Sequence, residues 1–88
     1  MTERLVTIVN PLGLHARPAA QLVRLASSFA AHVELERDGL AVNAKSIMGV
    51  MMLAAECGAA LTVRADGTDE AAAVEALATL VARGFDEL

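Results

Sequence analysis

His32-Val33-Glu34-Leu35-Glu36-Arg37-Asp38-Gly39-Leu40-Ala41-Val42-Asn43-Ala44 is the stretch that decides the fold. Val33, Leu35 and Arg37 fall on one side and His32, Glu34 and Glu36 on the other, the period of a half-solvated strand. Asp38-Gly39 then supplies a two-residue hairpin turn, and Leu40 to Ala44 returns as the partner strand. A hairpin at mid-chain makes that pair antiparallel, and the flanking segments decide what packs on it. Upstream, Leu5-Val6-Thr7-Ile8-Val9 is short and β-branched, and Asn10-Pro11-Leu12-Gly13 carries turn chemistry. Pro18, Leu22, Leu25 and Phe29 recur at helical spacing, with Gln21, Arg24 and Ser28 on the other side, predicting a helix over roughly residues 16 to 28.

Downstream, Ser46 is placed to cap a short helix over Ile47 to Leu53, in a segment that Gly58 ends. Leu61, Val63 and Ala65 alternate against Thr62, Arg64 and Asp66 as a fourth strand. Gly67-Thr68-Asp69-Glu70 turns the chain and opens a last helix with acidic residues, where the helix dipole favours them. Val74, Leu77, Ala78 and Val81 form its apolar stripe, and Gly84 stops it. The order is β-α-β-β-α-β-α, which predicts an α+β fold of two layers with an antiparallel sheet and the helices on one face.

The 88 residues predict a single domain over 1–88. The hydrophobic fraction is 56% and the mean hydropathy +0.51, but much of it is alanine, so the core is modest. So short a chain has little room for a deep pocket as well as a core, which favours a module that works through its surface. A net charge of −4 argues against nucleic acid and anionic membranes, and two Phe with no Trp or Tyr provide no stacking platform. A lone Cys57 without metal-ligand spacing fits a reducing, cytoplasmic setting with no metal. No signal-peptide segment and no run of 18 apolar residues is present, so neither export nor membrane insertion is expected.

Chemistry concentrates in Gly13-Leu14-His15-Ala16-Arg17-Pro18-Ala19-Ala20. A histidine there stands at a helix start, where unpaired backbone N–H groups attract anions. A phosphoryl group on His15 would meet the N–H groups of Ala16 and Arg17, and the Arg17 side chain adds a charge-assisted contact. Imidazole offers a neutral, nucleophilic nitrogen near physiological pH. From the residues alone, a capping or solvated histidine stays open as the alternative. No acid, base or metal cluster suggests chemistry beyond this transfer.

Asn10-x-x-Gly13-Leu14-His15-Ala16-Arg17-Pro18-Ala19 resembles the active-site signature of the HPr phosphocarriers of the bacterial phosphotransferase system, and Asn43-Ala44-Lys45-Ser46-Ile47-Met48-Gly49-Val50 resembles their second motif. The resemblance covers nearly the whole chain. It implies an open-faced β-sandwich of four antiparallel strands and three helices. It implies His15 as the phosphorylated residue, through Nδ1, with Arg17 as helper. The implied donor is Enzyme I and the implied acceptor an Enzyme IIA, in either sugar uptake or a nitrogen-related regulatory branch. The protein would then be a substrate of Enzyme I rather than an enzyme, with no cofactor and a monomer as the default.

Ser46 before Ile-Met-Gly-Val also resembles the substrates of HPr kinase/phosphorylase, which implies regulatory phosphorylation beside its capping role. Ala20, Arg24, Ile47, Met48 and Met51 are expected to form the docking surface around His15, while Val50 and Met52 face inward. His32 reads as solvated and Cys57 as a small buried thiol. An acyl carrier would place Asp before the serine in a helical bundle, whereas Lys45 precedes Ser46 and strand alternation is plain. A purely regulatory relative is expected to lack the active histidine, which this chain retains.

Overall fold

A computed structural model describes residues 1–87 of the chain. Its elements run β1 (Thr2–Thr7), α1 (Ala16–Ser27), β2 (His32–Arg37), β3 (Leu40–Asn43), α2 (Ile47–Met52), β4 (Ala60–Asp66) and α3 (Glu70–Ala82), followed by a single turn at Gly84–Asp86. The expected α+β order is the observed one, with the terminal turn added. The four strands form one antiparallel sheet in the order β1-β4-β2-β3. No described helix is long and apolar enough to cross a membrane.

Alternation sorts the two faces of the sheet. Val6, Val33, Leu35, Leu61, Val63 and Ala65 are buried beneath the helices. Pro18, Ala19, Leu22 and Ala26 of α1 and Val74, Leu77, Ala78 and Val81 of α3 are buried with them. Each large side chain removed from water there contributes about 1.5–3 kcal/mol. On the open face, register sets Arg64 directly between Glu3 and Glu34. Its guanidinium lies 2.6 Å from Glu3, 3.1 Å from Glu36 and 3.5 Å from Glu34. The hydrogen bonds that Arg64 donates to Glu3 and Glu36 raise its pKa further still.

Several local expectations need correction. The first strand starts at Thr2, not Leu5, because pairing with β4 begins at Thr2↔Ala65 and an edge strand accommodates polar residues. Helix α2 closes at Met52, and Ala54, not Gly58, takes the first positive φ after it, at 48°. Met52 is 67% exposed rather than inward-facing. Two residues rotate a helix by about 200°, so burying Val50 turns Met52 outward. Cys57 is exposed, not buried, since Ala55 and Ala59 take the inward positions of the loop between α2 and β4. His32, by contrast, is exposed on the open face as expected, and its Nε2 lies 3.2 Å from Glu34.

Candidate functional site

The loop after β1 is built to present His15. Gly13 lies at φ +68°, and its N–H donates to the Asn10 carbonyl at 3.0 Å, which closes the turn. Leu14 is buried, and its N–H donates to the Ala55 carbonyl at 2.8 Å. A Cβ on Gly13 would stand 2.4 Å from that same carbonyl oxygen. Glycine is required twice here, for the left-handed backbone and for the close approach.

His15 is the N-cap of α1, with extended backbone (φ −74°, ψ −174°) and no capping bond from its side chain. The first intrahelical bond runs from the Ala19 N–H to the His15 carbonyl at 3.0 Å. Ala16 and Arg17 therefore begin the helix with unpaired N–H groups, and Pro18, the third helical residue, has none to leave over. Arg17 is exposed and forms no ion pair among the described residues. The bare helix start and the exposed Arg17 guanidinium make a positive surface beside the imidazole.

The imidazole has a partner that sequence reasoning missed. Nε2 of His15 lies 3.1 and 3.2 Å from the two carboxylate oxygens of Glu87. A carboxylate only accepts, so Nε2 carries the proton and donates, and in the neutral ring Nδ1 then holds the lone pair. Glu87 is separated from His15 by 72 positions, and no local pattern could have paired them. Burial pushes the Glu87 carboxyl upward, but hydrogen bonds from His15 and Asn10, with the charges of His15 and Arg17, outweigh it and hold the pKa below its usual value. Asn10 heads the signature run and reads as turn chemistry, but the sequence predicts no contact between it and the histidine's partner. It is fully buried, and its Nδ2 donates both to the Gly13 carbonyl at 2.8 Å and to Glu87 at 3.0 Å.

The other predicted residues lie around a second helix start. Ser46 is the N-cap of α2, and its Oγ accepts from the Gly49 N–H at 3.1 Å. Ile47, Met48 and Met51 are exposed on α2, which packs against α1, where Ala20 is half-buried and Arg24 exposed. A shallow groove between α1 and α3, lined by Gln21, Arg24, Leu25, Ser28, Leu80 and Arg83, does not reach His15. His15 thus lies at a surface and not in this groove.

Residues 2–83 match the family model described as the PTS HPr component phosphorylation site. A protein of Cupriavidus necator named phosphocarrier protein HPr is 52% identical over 87 residues, covering 99% of this chain and 98% of its own. HPr-C-His from Thermoanaerobacter tengcongensis superposes with a TM-score of 0.97 at 44% identity, covering 100% of this chain and 99% of that one. A structure titled as an HPr dimer from the same organism superposes at 0.78 with 45% identity, covering 97% and 98% of the two chains.

Proposed function

The chain belongs to the HPr family of phosphotransferase-system phosphocarriers, and on that premise we propose that it accepts a phosphoryl group on Nδ1 of His15 from phosphorylated Enzyme I and passes it to an Enzyme IIA. The observation that carries this reading is the uncapped start of α1. The imidazole stands beside two unpaired N–H groups, and its other nitrogen is engaged by Glu87. In the transfer, the Nδ1 lone pair attacks phosphorus and forms the new N–P bond. The donor's P–N bond breaks, and its electron pair returns to the donor's imidazole. The His15 ring gains positive charge, which the Nε2–H bond to Glu87 stabilises. The phosphoryl oxygens meet the N–H groups of Ala16 and Arg17 and the Arg17 guanidinium. The reverse sequence delivers the group onward, so His15 is regenerated and the protein is a carried substrate.

Ala20, Arg24, Ile47, Met48 and Met51 form the partner-docking face in this reading, because α2 exposes soft apolar side chains beside α1. Phosphorylation of Ser46 would set about two negative charges against that face, and by opposing docking it would regulate transfer. A Ser46→Asp variant is expected to receive phosphate from Enzyme I more slowly, and a wild-type rate would count against this regulation. The working form is a monomer, which sedimentation at assay concentration checks against the dimeric alternative of the Thermoanaerobacter relative.

The deciding experiment is incubation with phosphoenolpyruvate, magnesium and a cognate Enzyme I, followed by intact mass. The expected result is one added phosphate, lost in mild acid and absent from His15→Ala. No mass change with a demonstrably active donor removes the carrier reading.

A further inference from the structure

Asn10 is the one fully buried polar side chain among the described residues, and its Oδ1 has no hydrogen-bond partner. Reversing the amide would not relieve this, because Oδ1 would then face the Gly13 carbonyl and the Glu87 carboxylate, both acceptors. The orientation is dictated, and the unpaired oxygen is the cost of keeping both donors where they are. Those donors tie the loop presenting His15 to the segment carrying Glu87, beside the contact that Glu87 itself makes with the imidazole.

The second segment is strained in the same direction. Gly84, Phe85 and Asp86 take φ of 65°, 56° and 59° in succession, and two of the three are not glycine. Phe85 is 1% exposed, so its buried ring anchors the turn. The Glu87 N–H donates to the Gly84 carbonyl at 3.0 Å, and Arg83 pairs with Asp86 at 3.1 Å. Left-handed backbone at non-glycine residues persists only where the surroundings over-determine it. Here the turn delivers the Glu87 carboxylate into the fork of Asn10 and onto His15 Nε2.

We propose that Asn10 is a positioning residue which, through Glu87, holds the His15 ring with its proton on Nε2 and keeps Nδ1 as the acceptor nitrogen. The inference rests on the carrier reading and assigns that site a second layer drawn from both ends of the chain. Asn10 touches no reacting atom. It orients the carboxylate, and the carboxylate orients the ring.

The test is made on the full-length protein labelled with nitrogen-15, comparing wild type with Asn10→Ala, Glu87→Ala, Glu87→Gln and the double alanine variant. Ring nitrogen shifts report the His15 tautomer, with His32 as internal reference, and transfer from phosphorylated Enzyme I reports rate. Wild type is expected to carry the proton on Nε2. Each alanine variant should raise the Nδ1–H population and slow transfer about tenfold. The double variant should be no slower than Glu87→Ala, since Asn10 acts through Glu87. Glu87→Gln retains an acceptor oxygen and should recover most of the rate.

Wild-type ring shifts in Asn10→Ala, or rate losses that multiply in the double variant, would overturn the proposal. If Asn10→Ala does not fold, Glu87→Ala decides, because that side chain lies outside the core: unchanged ring shifts there overturn the proposal equally. A wild-type protein that takes no acid-labile phosphate defeats the carrier reading instead, while the ring shifts still report whether the clamp sets the tautomer.

Discussion

Helices α1 and α2 both begin at an extended residue, yet they treat their first N–H groups in opposite ways. Ser46 turns its hydroxyl onto the Gly49 N–H and closes the start of a six-residue helix with its own side chain. His15 makes no such bond at the head of a twelve-residue helix and gives its ring to Glu87. The shorter helix needs its cap, because isolated short helices are marginal. The longer one is held by Pro18, Ala19, Leu22 and Ala26 in the core, and its start can be left open for an anion. An N-cap that satisfies the helix stabilises it, whereas an N-cap that leaves the helix unsatisfied makes room for a ligand.

The contrast breaks most severely at Gly13. A Gly13→Ala variant adds a Cβ 2.4 Å from the Ala55 carbonyl oxygen and 2.9 Å from Glu56 Cα, at φ +68°. It is expected to lose about 3 kcal/mol and about 15 °C in Tm, measured by thermal unfolding. Removing the exposed charge at the open start comes next. Arg17→Ala should slow phosphoryl transfer about a hundredfold, measured by quenched flow, with stability within about 0.5 kcal/mol of wild type. An unchanged rate would show that the backbone N–H groups suffice.

Ser46→Ala tests the closed start, with an expected loss of about 1 kcal/mol in urea unfolding and no change in transfer from Enzyme I. Converting one start into the other is subtler. His15→Ser should accept no phosphate yet gain about 0.5 kcal/mol from the new cap, and a loss of stability would mean that the Glu87 contact outweighs capping.

Helix α3 instead carries a carboxylate, Glu70, in its first turn, tied to the first strand and to the preceding turn, and its effect is the smallest. Glu70 is held to about 2 by the Thr2 hydroxyl first, then by the Met1 ammonium and the Gly67 N–H. A carboxylate depressed in the folded state contributes stability above its unfolded value, and that contribution is lost as pH falls from about 4.5 towards 2. Urea midpoints should therefore decline across that window in wild type. They should decline less steeply in Glu70→Gln.

Much of the fold was legible because its signals are local. The 32–44 hairpin, the β4 alternation and the α1 and α3 stripes each follow from neighbours a few positions apart. Met52 was misread because a helix of one and a half turns offers too few positions to fix a face, and Val50 settled it by burial. Cys57 was misread because loop burial depends on which residues the surrounding elements cover.

At the candidate site the division follows chain separation. His15, Arg17 and Pro18 lie within one turn of helix, so the sequence by itself determined a histidine at a helix start with a cation beside it. Strand order, the buried Asn10 fork and the Glu87 carboxylate on Nε2 belong to the tertiary structure. Helix periodicity and capping act over three or four residues, whereas the contact between His15 and Glu87 spans 72 positions and exists only once α3 has packed on the sheet and Phe85 is buried.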